Sequence, residues 1–128
     1  MKDIIFKFIK YLYYFSLAIL LILYLFPGSL IGHFFYGDLG KQPNIINNPF
    51  GTSINHLFYF SYLTTLGFIY SQIEKKFIND LLFILSLSII LELLHFFIPN
   101  RAFELYDLIA NIVGVLLIFC LTKLKKNV

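Results

Sequence analysis

Residues Tyr11 to Phe26 read YLYYFSLAILLILYLF, and no charged side chain interrupts these sixteen positions. With the preceding residues the apolar stretch covers 8–26. As a helix rising 1.5 Å per residue, such a stretch is about 28 Å long, close to the ~30 Å thickness of a bilayer's hydrocarbon core. We therefore predict a membrane-spanning helix here.

The composition of the whole chain agrees with this interpretation. Of 128 residues, 59% are hydrophobic and only 13% are charged, with a mean hydropathy of +0.83. Ordinary soluble domains carry about 25% charged residues, so this chain could not cover its surface with polar groups in water. The length allows a single domain, 1–128. We expect an all-α integral membrane protein.

Three more apolar segments have the length of short spans, at 54–71, 81–98 and 107–122. The sequence thus predicts a bundle of four transmembrane helices. The connection 27–53 is rich in Gly, Pro and Asn, the residues of turns, and its aromatic first part suits the headgroup level. We expect it to form an outward-facing loop above the bundle.

The first segment has an alternative interpretation as a cleaved signal peptide, because lysines precede it. However, the residues after it, FPGSLIG, lack an Ala-x-Ala-like cleavage site, and the apolar stretch is long for a signal peptide. These features favour an uncleaved membrane anchor.

Eight of the ten Lys and Arg residues lie on one side of this arrangement. They are Lys2, Lys7, Lys10, Lys75, Lys76, Lys123, Lys125 and Lys126, against Lys41 and Arg101 on the other side. This bias places both termini in the cytoplasm, with the protein in a plasma membrane. Anionic headgroups account for the net charge of +3, so no nucleic-acid partner is expected.

Polar residues concentrate at 92–111, which reads ELLHFFIPNRAFELYDLIAN. Glu92 lies inside an apolar run, where an ionised carboxylate costs several kcal/mol unless it is paired or faces water. His95 follows three residues later on nearly the same helix face. With the predicted topology, Arg101, Asp107 and Asn111 reach the same outer level, and so does His56 on the second span. An ionisable group within a span is a functional-site candidate by default.

Each of these residues also has a structural interpretation. Asp107 could cap its helix, Arg101 could anchor to headgroups, and Asn111 could bridge two helices. His56 could be merely interfacial, and Ala110 with Gly114 forms a small-xxx-small pair suited to close packing. The single cysteine, Cys120, lies in the fourth span, and no Cys/His spacing indicates zinc. We therefore expect no metal and no cofactor.

The same residues resemble the pattern of the VanZ-like family. That family has a glutamate, a turn arginine and an Asp-x-x-x-Asn-x-x-Gly helix start, with a histidine opening an aromatic-rich helix upstream. The matching residues are Glu92, His95, Arg101, Asp107, Asn111, Gly114 and His56, within about 55–119. This chain departs from the family in having His95 for Gln, Asn55 for Lys and Ile118 for a second glycine. The resemblance implies a small multi-helix membrane protein, and the family takes its name from a protein that lowers susceptibility to teicoplanin.

Three functions fit this sequence. In a membrane enzyme acting on a lipid-linked envelope substrate, Arg101 and Asn111 would bind substrate. Glu92, Asp107, His56 and His95 would then be the candidate acids and bases. No nucleophile motif indicates a reaction class, so a non-catalytic binder of envelope lipid fits equally. The third function is a structural or partner subunit whose polar groups only lock the helices. The sequence leaves homo-oligomerisation open.

Overall fold

All the regular structure in the described part of the chain is helical. The computed structural model describes residues 2–44, 46–74 and 77–126. Within these ranges there are five helices and no strand. The helices are α1 (Lys2–Leu25), α2 (Leu30–Tyr36), α3 (Ser53–Glu74), α4 (Phe77–Leu94) and α5 (Leu105–Lys126). The predicted all-α class is confirmed.

Two helical segments are long and apolar enough to cross a membrane. They are Asp3–Leu25 and Leu105–Leu124, and only 22% and 28% of their most apolar windows are buried in the isolated chain. They correspond to the first and fourth predicted spans. The second and third predicted spans lie in α3 and α4, where Leu81–Leu94 is a shorter apolar stretch. Lys75 and Lys76, which the topology prediction counts, lie outside the described residues.

The connection between α1 and α3 is more ordered than a loop of turn residues suggests, because it contains α2. The side chain of Ser29 accepts a hydrogen bond from the backbone of Gly32 at 2.9 Å, which caps the start of α2. Gly37, in the left-handed conformation, ends the helix. The following loop folds back so closely that any side chain at Gly32 would collide with the Lys41 carbonyl.

The predicted third span ends earlier than expected. The α-helix stops at Leu94 rather than Ile98, and residues 95–97 continue as turns whose N–H groups bond three residues back, at 2.9–3.2 Å. Pro99 disfavours the helical conformation at Ile98 immediately before it, so the chain leaves the helix ahead of the proline. Glu92 consequently lies in the last turn of α4.

α3 lies at the centre of the bundle and packs against α1, α4 and α5, most extensively against α5. The contact with α5 is close at Gly114, where a Cβ atom would lie 2.6 Å from the Leu57 carbonyl oxygen. Ser61 Oγ donates a hydrogen bond to the Gly114 carbonyl at 3.2 Å. The packing interpretation of Gly114 is therefore correct. Among the residues whose burial is described, the fully buried apolar side chains are Leu20, Phe60, Leu63, Ile84, Leu91 and Val115.

Candidate functional site

The polar residues meet at one end of the bundle, which we name the site end. It is formed by the C-terminal ends of α1 and α4 and the N-terminal ends of α3 and α5. Glu92 and Asn111 have no exposed surface, and His95 and Asp107 are also buried. His56 and Arg101 are partly exposed. All six residues singled out in the sequence thus lie at this end, as the predicted arrangement of the helices requires.

Tyr24 of α1 connects the cluster, although the sequence did not single it out. Its hydroxyl donates to Asn111 Oδ1 at 2.9 Å and lies 2.5 Å from His56 Nδ1. Its ring stacks on that of His95 with centroids 5.2 Å apart. The sequence did contain one signal for Tyr24, which lies near the end of a Leu- and Ile-rich run. A tyrosine buried there usually needs a hydrogen-bond partner for its hydroxyl.

The hydrogen bonds determine where the protons of this cluster lie. Asn111 Nδ2 donates to the Ser88 carbonyl at 3.3 Å, so Asn111 Oδ1 is the acceptor for Tyr24. Tyr24 has one hydroxyl proton, so its oxygen accepts the proton of His56 Nδ1. His56 Nδ1 therefore carries a proton that it donates to Tyr24, and His56 Nε2 faces Asp107. Asn111 joins α5 to α1 and α4, as its bridging interpretation predicts.

Asp107 lies in the first turn of α5, but its carboxylate bonds to α3. Asp107 Oδ2 is 3.4 Å from His56 Nε2, and Asp107 Oδ1 accepts a hydrogen bond from Ser53 Oγ at 2.5 Å. A residue that caps its own helix bonds to the backbone N–H groups of that helix, whereas these contacts of Asp107 are with side chains of α3. Ser53, a second residue that the sequence analysis missed, is three positions before His56 and so shares its helix face.

Glu92 pairs with a histidine and not with Arg101. Glu92 Oε1 is 3.2 Å from His95 Nδ1 and accepts the backbone N–H of Glu104 at 3.2 Å. His95 Nε2 donates to the Tyr24 carbonyl at 3.3 Å, which orients the imidazole. The second carboxylate oxygen, Oε2, is buried and has no hydrogen-bond partner among the described residues.

Arg101 binds the end of α1. Its Nη2 donates to the Leu23 carbonyl at 2.5 Å and its Nε to the Phe26 carbonyl at 3.3 Å. The Leu23 carbonyl is free because Pro27, four residues later, has no N–H to donate. Burial lowers the pKa of Arg101 from its usual value, and the acidic groups Tyr24, Glu92 and Asp107 act in the opposite direction.

Glu104, in the same turn, has its pKa raised. Burial is the largest cause, followed by the negative charges of Asp107 and Glu92. Burial and these two carboxylates therefore disfavour the ionised form of the Glu104 side chain.

A cavity of about 460 Å³ opens beside the cluster, between α1, α3 and the loop that carries α2. Its wall is largely apolar, with Leu20, Leu23 and Phe35 among its residues. Its polar groups include His56, His95 and Arg101. Glu92 and Asp107 do not line it and lie behind the histidines. The cavity therefore suits a ligand that has both an apolar part and a polar, negatively charged part.

Three potential metal ligands also come together here. His56, Glu92 and Asp107 each offer one ligand atom within 4.8 Å of the other two. They lie on three different helices, so no short spacing in the sequence indicates the group. Our expectation of no metal rested on the absence of such spacings in the sequence, so it did not consider this group.

Comparison of the chain with protein-family models, with curated proteins and with solved structures finds no match. The VanZ-like assignment therefore stays a prediction that rests on the resemblance of the site residues.

Proposed function

We propose that this chain is a multi-pass membrane protein of VanZ-like type. In this proposal α1, α3, α4 and α5 cross a bacterial plasma membrane, and both termini are cytoplasmic. The site end then faces outward. The positive charges of the sequence support this orientation, because most of them lie near the opposite ends of the helices.

Exposed aromatic side chains at the site end support the same placement. Phe34, Phe35 and Tyr36 of α2 are exposed, as are Phe96 and Phe97 after α4. Tyr and Trp are enriched where a membrane protein meets the headgroup region, and Tyr36 fits this pattern, whereas the exposed phenylalanine rings favour an apolar environment. The loop with α2 would then lie at the outer membrane boundary and cover the cavity.

The function that the site supports best is binding of an amphipathic envelope lipid or lipid-linked precursor with an anionic headgroup. The observation that carries this proposal is the apolar cavity with Arg101, His56 and His95 at its polar part. Arg101 uses its Nε and one Nη for the carbonyls of Phe26 and Leu23. The remaining N–H groups of its planar fork suit a phosphate or carboxylate.

A reaction at this site would begin with the histidines. Of the four residues predicted as acids or bases, only His56 and His95 line the cavity. Asp107 and Glu92 contact them from behind and would orient them and hold a proton. The resemblance alone does not extend teicoplanin resistance to this chain.

One observation supports the alternative function, in which the polar groups only hold the helices together. Asn111 and Tyr24 satisfy each other and the neighbouring helices inside the bundle, as groups that only lock helices together would. In that case the cavity would have no dedicated ligand.

Lipid extraction from the purified full-length chain tests the proposal. We expect an anionic lipid to co-purify with the wild type and to be lost from Arg101→Gln. Lys41→Gln is the matched control, because it removes the same charge from an exposed residue outside the cavity wall. Unfolding temperatures in detergent establish that each variant is folded. Equal lipid content in the wild type and in folded Arg101→Gln would contradict the proposal.

A further inference from the structure

We propose that His56, Glu92 and Asp107 form a binding site for a divalent transition-metal cation of the zinc class. The three side chains come from α3, α4 and α5, and one ligand atom of each lies within 4.8 Å of the others. One imidazole and two carboxylates are ligands that zinc accepts in proteins. This inference is independent of the lipid proposed above.

The charge at the site favours a cation. Glu92 and Asp107 are both buried, and among the described residues the basic side chains within ion-pairing distance of their carboxylates are only the two histidines. The guanidinium of Arg101 donates instead to backbone carbonyls. A buried carboxylate is costly unless it is neutralised, and a divalent ion between two of them would compensate both charges.

An independent observation is the unpartnered oxygen of Glu92. Oε2 is buried and has no hydrogen-bond partner in the described part of the chain. A buried polar atom without a partner is rare and needs a physical explanation. Coordination of a cation supplies one, because the lone pairs of Oε2 would then be used.

The hydrogen bonds around the three residues leave one atom of each for the ion. His56 Nδ1 is held by Tyr24, Glu92 Oε1 by His95 and the Glu104 backbone, and Asp107 Oδ1 by Ser53. The atoms that remain are Nε2, Oε2 and Oδ2. Metal ligands in proteins are typically oriented in this way by a hydrogen bond to their other polar atom. Tyr24 is thus a positioning residue for His56.

The distance between two of the three ligand atoms is compatible with zinc. Two ligands at 2.0–2.1 Å from a tetrahedral ion lie about 3.3 Å apart. His56 Nε2 and Asp107 Oδ2 are 3.4 Å apart. For tetrahedral coordination, Glu92 Oε2 must lie at a similar distance from both of these atoms. Three protein ligands leave a fourth position for water.

Metal titration of the full-length chain in detergent tests the site. The protein is stripped with a chelator and titrated with Zn²⁺ against a fluorescent competitor, and with Co²⁺ to record its absorption spectrum. We expect one Zn²⁺ per chain and a tetrahedral Co²⁺ spectrum. Glu92→Gln should weaken zinc binding by at least about 10-fold, and Tyr24→Phe by roughly the same factor through loss of the orienting contact.

Glu104→Gln is the matched control, since it removes a carboxylate from the same end of the bundle without removing one of the three ligands. It should bind zinc like the wild type, as should Arg101→Gln, which separates this site from lipid binding. Tyr24→Phe keeps the test decisive if Glu92→Gln does not fold. Failure of the wild type to bind zinc, or equal affinities in Tyr24→Phe, Glu92→Gln and Glu104→Gln, would overturn the proposal.

Discussion

The asparagine at position 111 shows how single polar atoms organise the buried end of this bundle. Its amide nitrogen donates to the Ser88 carbonyl of α4 and its oxygen accepts from Tyr24 of α1. Because Tyr24 has only one hydroxyl proton, the bond to Asn111 also determines which nitrogen of His56 is protonated. One side chain thus influences the hydrogen bonds of three helices.

Replacing Asn111 should therefore destabilise the protein. Asn111→Ala removes two buried hydrogen bonds, one from Tyr24 and one to the Ser88 carbonyl, and we expect a loss of about 1–3 kcal/mol of unfolding free energy. Reversible unfolding in mixed detergent micelles measures this change. Asn47→Ala, at an exposed loop position, is the control and should change stability little. Equal stability of Asn111→Ala and the wild type would show that the bridge contributes nothing.

Two features of the helices help to position the site residues: the turns after α4 and the close contact between α3 and α5. The turns after α4 bring His95 above Glu92, because each N–H bonds three residues back in place of four. The approach of α5 to α3 depends on a glycine, since a side chain at Gly114 would meet the backbone of α3. Both features determine the distances within the site, as Asp107 and His56 lie on this same pair of helices.

A methyl group at position 114 should separate α3 from α5. Gly114→Ala places its Cβ 2.6 Å from the Leu57 carbonyl oxygen, so backbone must move, and overpacking of this kind costs about 1–3 kcal/mol. We expect a lower unfolding temperature in detergent and a smaller yield of monodisperse protein. Gly40→Ala is the control, because a Cβ there meets only an Asp38 carboxylate oxygen at 3.3 Å. If the two variants behave alike, the close helix contact is not required.

At the scale of the whole molecule, the surface and the site have opposite chemistry. Large apolar side chains are exposed along α1 and α5, whereas the buried end of the bundle contains two carboxylates, a histidine and an asparagine. In lipid this distribution is favourable, because apolar side chains face the acyl chains and polar groups satisfy one another inside. This contrast supports the proposed membrane location, and the distribution of lysines supports the proposed orientation.

Cysteine labelling of intact cells tests that orientation. In a Cys120→Ser background we expect Asn47→Cys, between α2 and α3, to react with a membrane-impermeant maleimide. Lys123→Cys, near the end of α5, should react only after the membrane is permeabilised. Gel shifts of the labelled protein provide the measurement. The reverse pattern would place the termini outside and contradict the proposed topology.

The sequence by itself determined the helical class, the approximate positions of the four long helices and the set of polar residues at the site end. These follow from local patterns, because hydrophobic length and turn residues act over neighbouring positions. Only the tertiary structure decided which polar atoms meet. Tyr24 lies 32 positions from His56 and 87 from Asn111, so no local pattern could relate them. The early end of α4, the helix in the long loop, the cavity and the free oxygen of Glu92 likewise depend on how separate segments pack together.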